Sequence, residues 1–332
     1  MPPRTAYIRS VGRYLPERRL TNQDFEKMVN TTDEWILTRT GIRERRVLEP
    51  GLGSSFMAVR AAKECLERAG TAPEEIDAII VGTVTPDMLF PATACLVQRE
   101  IGARRAWGFD LSAGCSAFVF ALTTGAQMIE AGRCDKVLVI GSDVMSTIVD
   151  YEDRNTCVLF GDAAGAALLE PCPEDGYGVL DFVQYMDGSG EEFLHMKAGG
   201  SRRPASPETV KNKEHYVYQA GRQVFKYAVT RMADVCAEIL ERNNLTGNDV
   251  TMFIPHQANL RIIEASVKRM KIDKNKVIVN IDRYANTTAG TIPLCLYEAV
   301  VERNCVSKGD YLVMSAFGAG FTWGSALLRW WE

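Results

Sequence analysis

The sequence is poor in the residues on which metal and disulfide chemistry depend. Only three histidines occur among 332 residues, His195, His215 and His256, which disfavours a metal site built on several histidines. The nine cysteines are odd in number and form no Cys-x-x-Cys pair, which argues against a zinc ribbon and against a disulfide framework. We therefore expect no metal ion and no resident cofactor.

Long apolar runs and an excess of positive charge are also missing. No stretch approaches the roughly 18 apolar residues of a membrane span, and the amino terminus, MPPRTAYIRS, lacks the apolar core of a signal peptide. The net charge of −4 gives no basic field that would attract nucleic acid. The sequence therefore predicts a cytoplasmic globular protein that binds neither membranes nor nucleic acid.

A loose internal repeat organises the chain. Four segments of the first half match four segments of the second half in the same order: 67–81 with 241–255, 107–118 with 279–290, 134–143 with 309–318, and 165–170 with 324–329. Each match combines an apolar, strand-like run with polar turn residues. The repeat predicts two similar α/β halves, residues 1–172 and 173–332, with a polar surface insertion around 185–215.

Cys115 lies where a buried strand is predicted to turn into a buried helix. The segment reads DLSAGCSAFVF, and the helix that follows is expected to end near Gly132. Unpaired N–H groups at a helix start favour an anion, and the thiolate is the form of cysteine that attacks carbonyl carbons. Small neighbours leave the sulfur uncovered, as in a nucleophile elbow. The alternative is a small buried apolar side chain, the usual role of free cysteine.

Two further polar residues are predicted at the carboxyl ends of strands, where open α/β sheets place their sites. His256 follows TMFIP, and Asn286 follows VIVNIDRYA. Together with Cys115 they could hold a thioester, because a thiolate takes the acyl group while His and Asn donate hydrogen bonds to a developing oxyanion. Taken singly, His256 could be structural and Asn286 a helix N-cap. The residues alone indicate a thiol acyl-transfer site with an unnamed second substrate.

Seven segments give the chain a resemblance to a known family: TTDEWILTRTGIRERR, FPATAC, YEDRNTCVLFGDAAGA, VFKYAVT, PHQANLRII, YANTTAGTIP and FGAGFTWGSALL. The sequence resembles β-ketoacyl-acyl carrier protein synthase III over nearly its whole length. The resemblance implies the thiolase fold, with two α/β halves related by a pseudo-twofold and layered α-β-α-β-α. It also implies a homodimer that condenses an acyl-coenzyme A starter with malonyl-acyl carrier protein, which initiates type II fatty acid synthesis.

The resemblance also implies roles for individual residues. Cys115 would accept the acyl group, His256 and Asn286 would stabilise the enolate from the malonyl group, and the N–H groups of Cys115 and Ala319 would form the oxyanion hole. The remaining implied positions comprise coenzyme A contacts (Trp35, Arg39, Arg154), a pantetheine contact (Asn259), an aromatic that closes the partner's acyl pocket (Phe90), and carrier-protein docking residues (Lys226, Arg261, Lys268). Without the resemblance, Trp35 could be a core aromatic, Phe90 a loop anchor, and the basic residues a solvated face.

The chain departs from the family pattern near the nucleophile. The family usually has AACSGF or AACAGF around its cysteine, whereas this chain has AGCSAF, with Gly114 and Ala117 at the altered positions. Ala319 replaces the middle one of three glycines, and ANTTAGT stands where GNTSAAS is common. These differences bear on pocket shape and acyl preference. Two alternatives stay open: a related enzyme that uses another acyl chain in secondary metabolism, and a non-catalytic acyl-carrier-binding protein.

Overall fold

Two β-sheets form the framework of the protein, which a computed structural model describes over residues 4–332. The strands are β1 (Ala6–Tyr14), β2 (Arg19–Thr21), β3 (Glu44–Arg46), β4 (Ala78–Gly82), β5 (Trp107–Leu111), β6 (Val137–Val144), β7 (Asp162–Pro171), β8 (Gly178–Met186), β9 (Leu194–Met196), β10 (Val217–Gln219), β11 (Val250–Pro255), β12 (Tyr311–Gly318) and β13 (Thr322–Arg329). β2 and β3 form one small antiparallel pair, and β9 and β10 form another.

Helices cover both faces of each large sheet. The α-helices of the described chain are α1 (Asn22–Met28), α2 (Asp33–Thr40), α3 (Ser54–Ala69), α4 (Thr93–Ile101), α5 (Ala117–Glu130), α6 (Pro207–Lys211), α7 (Gly221–Arg242), α8 (Leu260–Met270), α9 (Ile281–Tyr284) and α10 (Thr291–Tyr297). Within residues 4–332, no helix combines the length and the apolar character that crossing a bilayer requires.

The two large sheets repeat one topology. The first has the strand order β1-β7-β6-β4-β5, and the second has β8-β13-β12-β11 when read from the matching edge. In both sheets the first three strands pair antiparallel, and the next pair, β6 with β4 or β12 with β11, is parallel. Three of the four sequence matches therefore correspond to equivalent strands.

Three apolar clusters arrange the sheets and helices in five layers. The largest cluster packs α5 and α10 between the inner faces of both sheets. A second cluster packs α3 and α4 on the outer face of the first sheet, and a third packs α7 and α8 on the outer face of the second. The predicted order of layers, α-β-α-β-α, is thus confirmed. Because α5 is covered on both sides, its sequence is apolar on nearly every face.

Two strand predictions are wrong. β5 was expected to be buried, but it is the edge strand of the first sheet, and Trp107 is 55% exposed. The predicted strand before Asn286 is reduced to one bridge, between Val277 and Phe253. There the Gln257 side-chain oxygen accepts the N–H groups of Asn280 and Ile281, both at 3.1 Å. This tertiary contact satisfies backbone groups that a strand would otherwise pair.

Candidate active site

Cys115 lies in a single turn between β5 and α5. Gly114–Ser116 form a 3₁₀ turn, and α5 begins at Ala117, as the sequence predicts. Gly114 has φ +54°, and a Cβ on it would lie 2.5 Å from the backbone nitrogen of Ala319. A side chain at position 114 would therefore meet both backbone strain and a steric clash. The glycine that departs from the family pattern is required by this close approach.

The strand end that carries Ala319 packs directly against the nucleophile turn. A Cβ on Gly318 would lie 2.4 Å from the Cys115 backbone nitrogen, so the two backbone segments are in contact. The φ angle of Ala319 is not positive, and its methyl group therefore causes no backbone strain. Gly114, Cys115, Gly318 and Ala319 all line one cavity. This arrangement suits a pair of N–H groups that stabilise an oxyanion.

His256 follows β11 directly, at the strand end where it was predicted. Its N–H donates to the Ser315 carbonyl at 2.8 Å, which fixes the backbone against β12. The side chain lines the cavity, is 1% exposed, and neither ring nitrogen has a hydrogen-bond partner within the described part of the chain. Burial lowers the pKa of His256 to about 3. The imidazole is therefore neutral at pH 7 and can both donate and accept a hydrogen bond.

Asn286 reaches the same cavity from an irregular segment rather than from a strand end. Its N–H donates to the Leu159 carbonyl and its carbonyl accepts from the Gly161 N–H, both at 3.0 Å. Its side-chain oxygen accepts the Thr288 N–H at 2.9 Å. The acceptor end of the amide is thus occupied, and hydrogen bonding from the side chain acts to lower the pKa of the Cys115 thiol.

The environment of the Cys115 thiol favours the protonated form. Burial and, next, the negative charge of Asp143 raise its pKa to about 12, whereas hydrogen bonds from the Cys115 N–H and from Asn286 oppose this rise. The helix start is expected to favour the thiolate, but burial and the charge of Asp143 outweigh that effect in the pKa of Cys115. Loss of the thiol proton has to accompany acyl transfer.

The cavity is large enough for a chain-like substrate and leads from Cys115 to the surface. Its volume is about 1220 Å³, and Trp35, Arg39, Asn259 and Arg261 line it with the three reactive residues. Asn259 donates from its side-chain nitrogen to the Arg39 carbonyl at 2.8 Å, and its oxygen accepts the Arg261 N–H at 3.0 Å at the start of α8.

Two guanidinium groups lie near the Trp35 ring. The Arg39 carbon Cζ is 4.9 Å from the indole centroid, and that of Arg154 is 5.1 Å away. Arg154 also donates to the Asn30 carbonyl at 2.8 Å. Arg154 does not itself line the cavity, but its neighbours Asp153 and Asn155 do. The three predicted nucleotide contacts thus form one cluster.

The other predicted residues lie outside the reactive centre. Phe90 is 84% exposed and does not line the cavity. Lys226 on α7 and Lys268 on α8 are exposed and do not line the cavity, whereas Arg261 does. The Arg261 guanidinium lies 4.9 Å from the Phe225 ring centroid.

Sequence reasoning missed contributions from two regions. The segment predicted as a surface insertion supplies Leu194, His195 and Met196 to the cavity wall, and its polar composition gave no signal of this. Asp143 is fully buried at the end of β6, beside the loop that holds Asn286. Asp143, like His256, lies at the carboxyl end of a strand. The rule that open α/β sheets place their sites at strand ends pointed to His256 and could also have pointed to Asp143.

Family models and relatives agree on one assignment. Residues 109–188 match the model of 3-oxoacyl-[acyl-carrier-protein] synthase III, and residues 240–330 match the model of its C-terminal part. The β-ketoacyl-[acyl-carrier-protein] synthase III of Koribacter versatilis is 55% identical over 329 residues, covering 98% of each chain. The chain belongs to the β-ketoacyl-acyl carrier protein synthase III family. The predictions of the family and of an enzyme are therefore confirmed.

Solved structures of the β-ketoacyl-acyl carrier protein synthase III family share the fold. The enzyme from Aquifex aeolicus VF5 superimposes with a TM-score of 0.90 at 45% identity, covering 98% of this chain and 100% of that one. The priming β-ketosynthase of the R1128 polyketide biosynthetic pathway also gives a TM-score of 0.90, at 35% identity and with 99% and 97% coverage. The prediction of the thiolase fold is confirmed.

Proposed function

We propose that the protein joins an acyl group from acyl-coenzyme A, acetyl or another short chain, to malonyl-acyl carrier protein and so initiates type II fatty acid synthesis. The single observation that carries this proposal is the convergence of Cys115, His256 and Asn286 in one cavity. A scaffold that only binds acyl carriers would need no thiol beside an amide donor and an imidazole that has no hydrogen-bond partner within residues 4–332.

In the first step, the Cys115 sulfur attacks the thioester carbonyl of the acyl-coenzyme A. The bond from the carbonyl carbon to the coenzyme A sulfur breaks, and the thiol proton leaves with coenzyme A. The Cys115 and Ala319 N–H groups stabilise the tetrahedral oxyanion, which is the charge that develops in this step. The product is an acyl group bound to Cys115.

In the second step, the malonyl thioester loses carbon dioxide and becomes an enolate. The neutral His256 and the Asn286 amide donate hydrogen bonds to the enolate oxygen, so that carbon dioxide loss supplies the carbanion without metal or redox chemistry. The enolate carbon attacks the acyl carbonyl, the carbon–sulfur bond to Cys115 breaks, and the departing thiolate takes a proton from solvent. The β-ketoacyl product remains on the carrier protein.

The outer cavity and the neighbouring surface suit the two substrates. Trp35 offers a flat face for adenine, and Arg39 and Arg154 offer charges for phosphate. Asn259 would contact pantetheine. Lys226, Arg261 and Lys268 would dock the acidic carrier protein, since steering by opposite charge raises the encounter rate.

We propose a cytoplasmic homodimer as the working form. The exposed edge of β5 leaves backbone N–H and C=O groups unpaired on one side, which a second copy could pair. Met88, Leu89 and Phe90 are 47%, 81% and 84% exposed in the single chain, a large apolar loop for a monomer surface. In the dimer Phe90 would close the partner's acyl pocket.

One experiment tests the reaction and the division of labour together. Acyl-coenzyme A thioesters of increasing length are incubated with the protein, and peptide mass spectrometry locates the added acyl mass. We expect Cys115 alone to be acylated, and His256→Ala to retain single-turnover acylation while condensation falls by about 100- to 1000-fold, the usual cost of one oxyanion donor. Acylation at another cysteine, with normal condensation by Cys115→Ser, would exclude the proposed nucleophile.

A parallel loss of acylation and condensation in His256→Ala would instead make the histidine the base for the thiol. A second candidate function is condensation in secondary metabolism, which the likeness to a polyketide priming ketosynthase favours. A preference for long or branched starters in the same panel would support that alternative.

A further inference from the structure

Asp143 is a buried carboxylate that connects the two halves of the protein behind the reactive residues. It stands near the end of β6, is 0% exposed, and accepts six hydrogen bonds. Burying a carboxylate costs free energy unless both of its oxygens accept hydrogen bonds. The six hydrogen bonds to Asp143 offset this cost and fix the position of the side chain.

The two carboxylate oxygens bind different parts of the chain. Oδ1 accepts from the Thr83 hydroxyl at 2.9 Å, the Val84 N–H at 2.8 Å, and the Thr85 N–H and hydroxyl at 3.1 and 2.9 Å. Oδ2 accepts from the Thr288 hydroxyl and from the Ala289 N–H at 3.1 Å. Asp143 therefore holds the loop after β4 and the segment after Asn286 against each other.

Thr288 links this network to Asn286. Its φ is +48°, an unfavourable angle for a β-branched residue, and its side chain and the next N–H are both held by Asp143. Its own N–H donates to the Asn286 side-chain oxygen at 2.9 Å. With that oxygen engaged, the amide presents its nitrogen, a donor, toward the reactive centre.

We infer that Asp143 is a positioning residue, which through Thr288 keeps the donor end of the Asn286 amide directed at the substrate oxygen. This inference rests on the proposed function. It also carries an electrostatic consequence: after burial, the negative charge of Asp143 is the next cause that raises the pKa of the Cys115 thiol, and the neighbouring His256 is neutral. Burial raises the pKa of Asp143 itself, and its hydrogen bonds from Thr288, Val84, Ala289 and Thr85 oppose that rise.

Two variants separate the positioning role from the charge. Asp143→Asn removes the charge and replaces one acceptor oxygen by a donor, whereas Thr288→Val keeps the charge and removes only the hydroxyl link. We expect both variants to lower the rate of decarboxylation of malonyl-acyl carrier protein about 100-fold, because a misplacement of a catalytic group by about 1 Å can cost that much. Only Asp143→Asn should speed alkylation of Cys115 by iodoacetamide at fixed pH, and a tenfold increase would correspond to a fall of about one unit in the thiol pKa.

Controls distinguish positioning from general damage. Asp162→Asn alters another buried carboxylate, whose oxygens accept hydrogen bonds from Leu48 and Ser146 and are given none by the segment that holds Asn286. It should change neither decarboxylation nor alkylation appreciably. Thr288→Ser restores the hydroxyl and should restore decarboxylation, and this pair of Thr288 variants carries the test even if Asp143→Asn does not fold.

The outcomes are separable from those of the proposed function. Alkylation of Cys115 needs no substrate. Faster alkylation in Asp143→Asn would therefore support the electrostatic coupling of Asp143 to the Cys115 thiol, whatever reaction the protein catalyses. Failure of the wild-type protein to condense malonyl-acyl carrier protein would refute only the proposed function. Wild-type decarboxylation in both Asp143→Asn and Thr288→Val would overturn the inference. So would equal losses in Thr288→Ser and Thr288→Val.

Discussion

The neutral state of His256 makes a quantitative prediction about stability and pH. Burial lowers the pKa of the folded imidazole from 6.5 to about 3. Between these two values the unfolded chain binds a proton that the folded chain does not, so the free energy of unfolding falls as the pH falls. The stabilising contribution is complete above pH 6.5 and is lost progressively down to about pH 3.

The magnitude follows from the distance between the two pKa values. Each pH unit within the window is equivalent to about 1.4 kcal/mol for a single group. Lowering the pH from 7 to 5 should therefore cost the wild-type protein about 2 kcal/mol through His256 alone. Other groups also titrate in this range, so the effect has to be measured against a variant that lacks only this imidazole.

The assay is urea-induced unfolding of the wild type and His256→Asn at pH 7 and at pH 5, at one protein concentration. The wild type should lose about 2 kcal/mol more stability than the variant between these pH values, because all other titrating groups are shared. The ring signals of His256 in NMR spectra should also stay constant from pH 8 to 5. Equal losses in both proteins would refute the neutral imidazole, and with it the proposed donor role.

Three further predictions concern recognition and packing. Trp35→Ala should raise the KM for acyl-coenzyme A about tenfold, the loss of one stacking contact of about 1.4 kcal/mol, yet leave the KM for acyl-pantetheine unchanged; an equal rise for both thioesters would contradict the nucleotide contact. The double variant Lys226→Glu, Arg261→Glu should raise the KM for malonyl-acyl carrier protein, most strongly at low salt. The control Lys63→Glu, on the outer helix layer at the opposite side of the molecule, should leave this KM unchanged. A similar KM for the double variant and the control would exclude this docking surface. Gly114→Ala should abolish acylation of Cys115 and lower the melting temperature, since φ +54° and a contact at 2.5 Å oppose a methyl group, and near-normal acylation would show that the turn tolerates a side chain.

Local sequence was sufficient to predict the positions of Cys115 and His256. Each follows an apolar run that forms a strand in the structure, and the small residues around Cys115 form the expected turn before α5. These signals are contained within about a dozen residues, and they do not depend on distant parts of the chain. The internal repeat predicted the two similar halves, because three of its four matched segments are strands in equivalent places, whereas the five-layer order came from the family resemblance.

Asn286 could be predicted as a site residue but not as part of an irregular segment. The run that precedes it is apolar and looks like a strand, but the side chain of Gln257 binds its backbone and diverts it into α9. That contact spans more than twenty residues of sequence. The exposure of Trp107 was missed for a similar reason, since the place of β5 at the edge is set by the order of all five strands and not by its own composition.

The contact between Gly318 and the Cys115 backbone has a consequence for how the protein matures. The strand that carries Gly318 follows the nucleophile by about two hundred residues. During synthesis, the first half can form its sheet and its thiol turn long before the opposing backbone segment exists. Acyl transfer therefore cannot start on a partly made chain, and a C-terminal truncation that removes β12 and β13 should leave a thiol without activity.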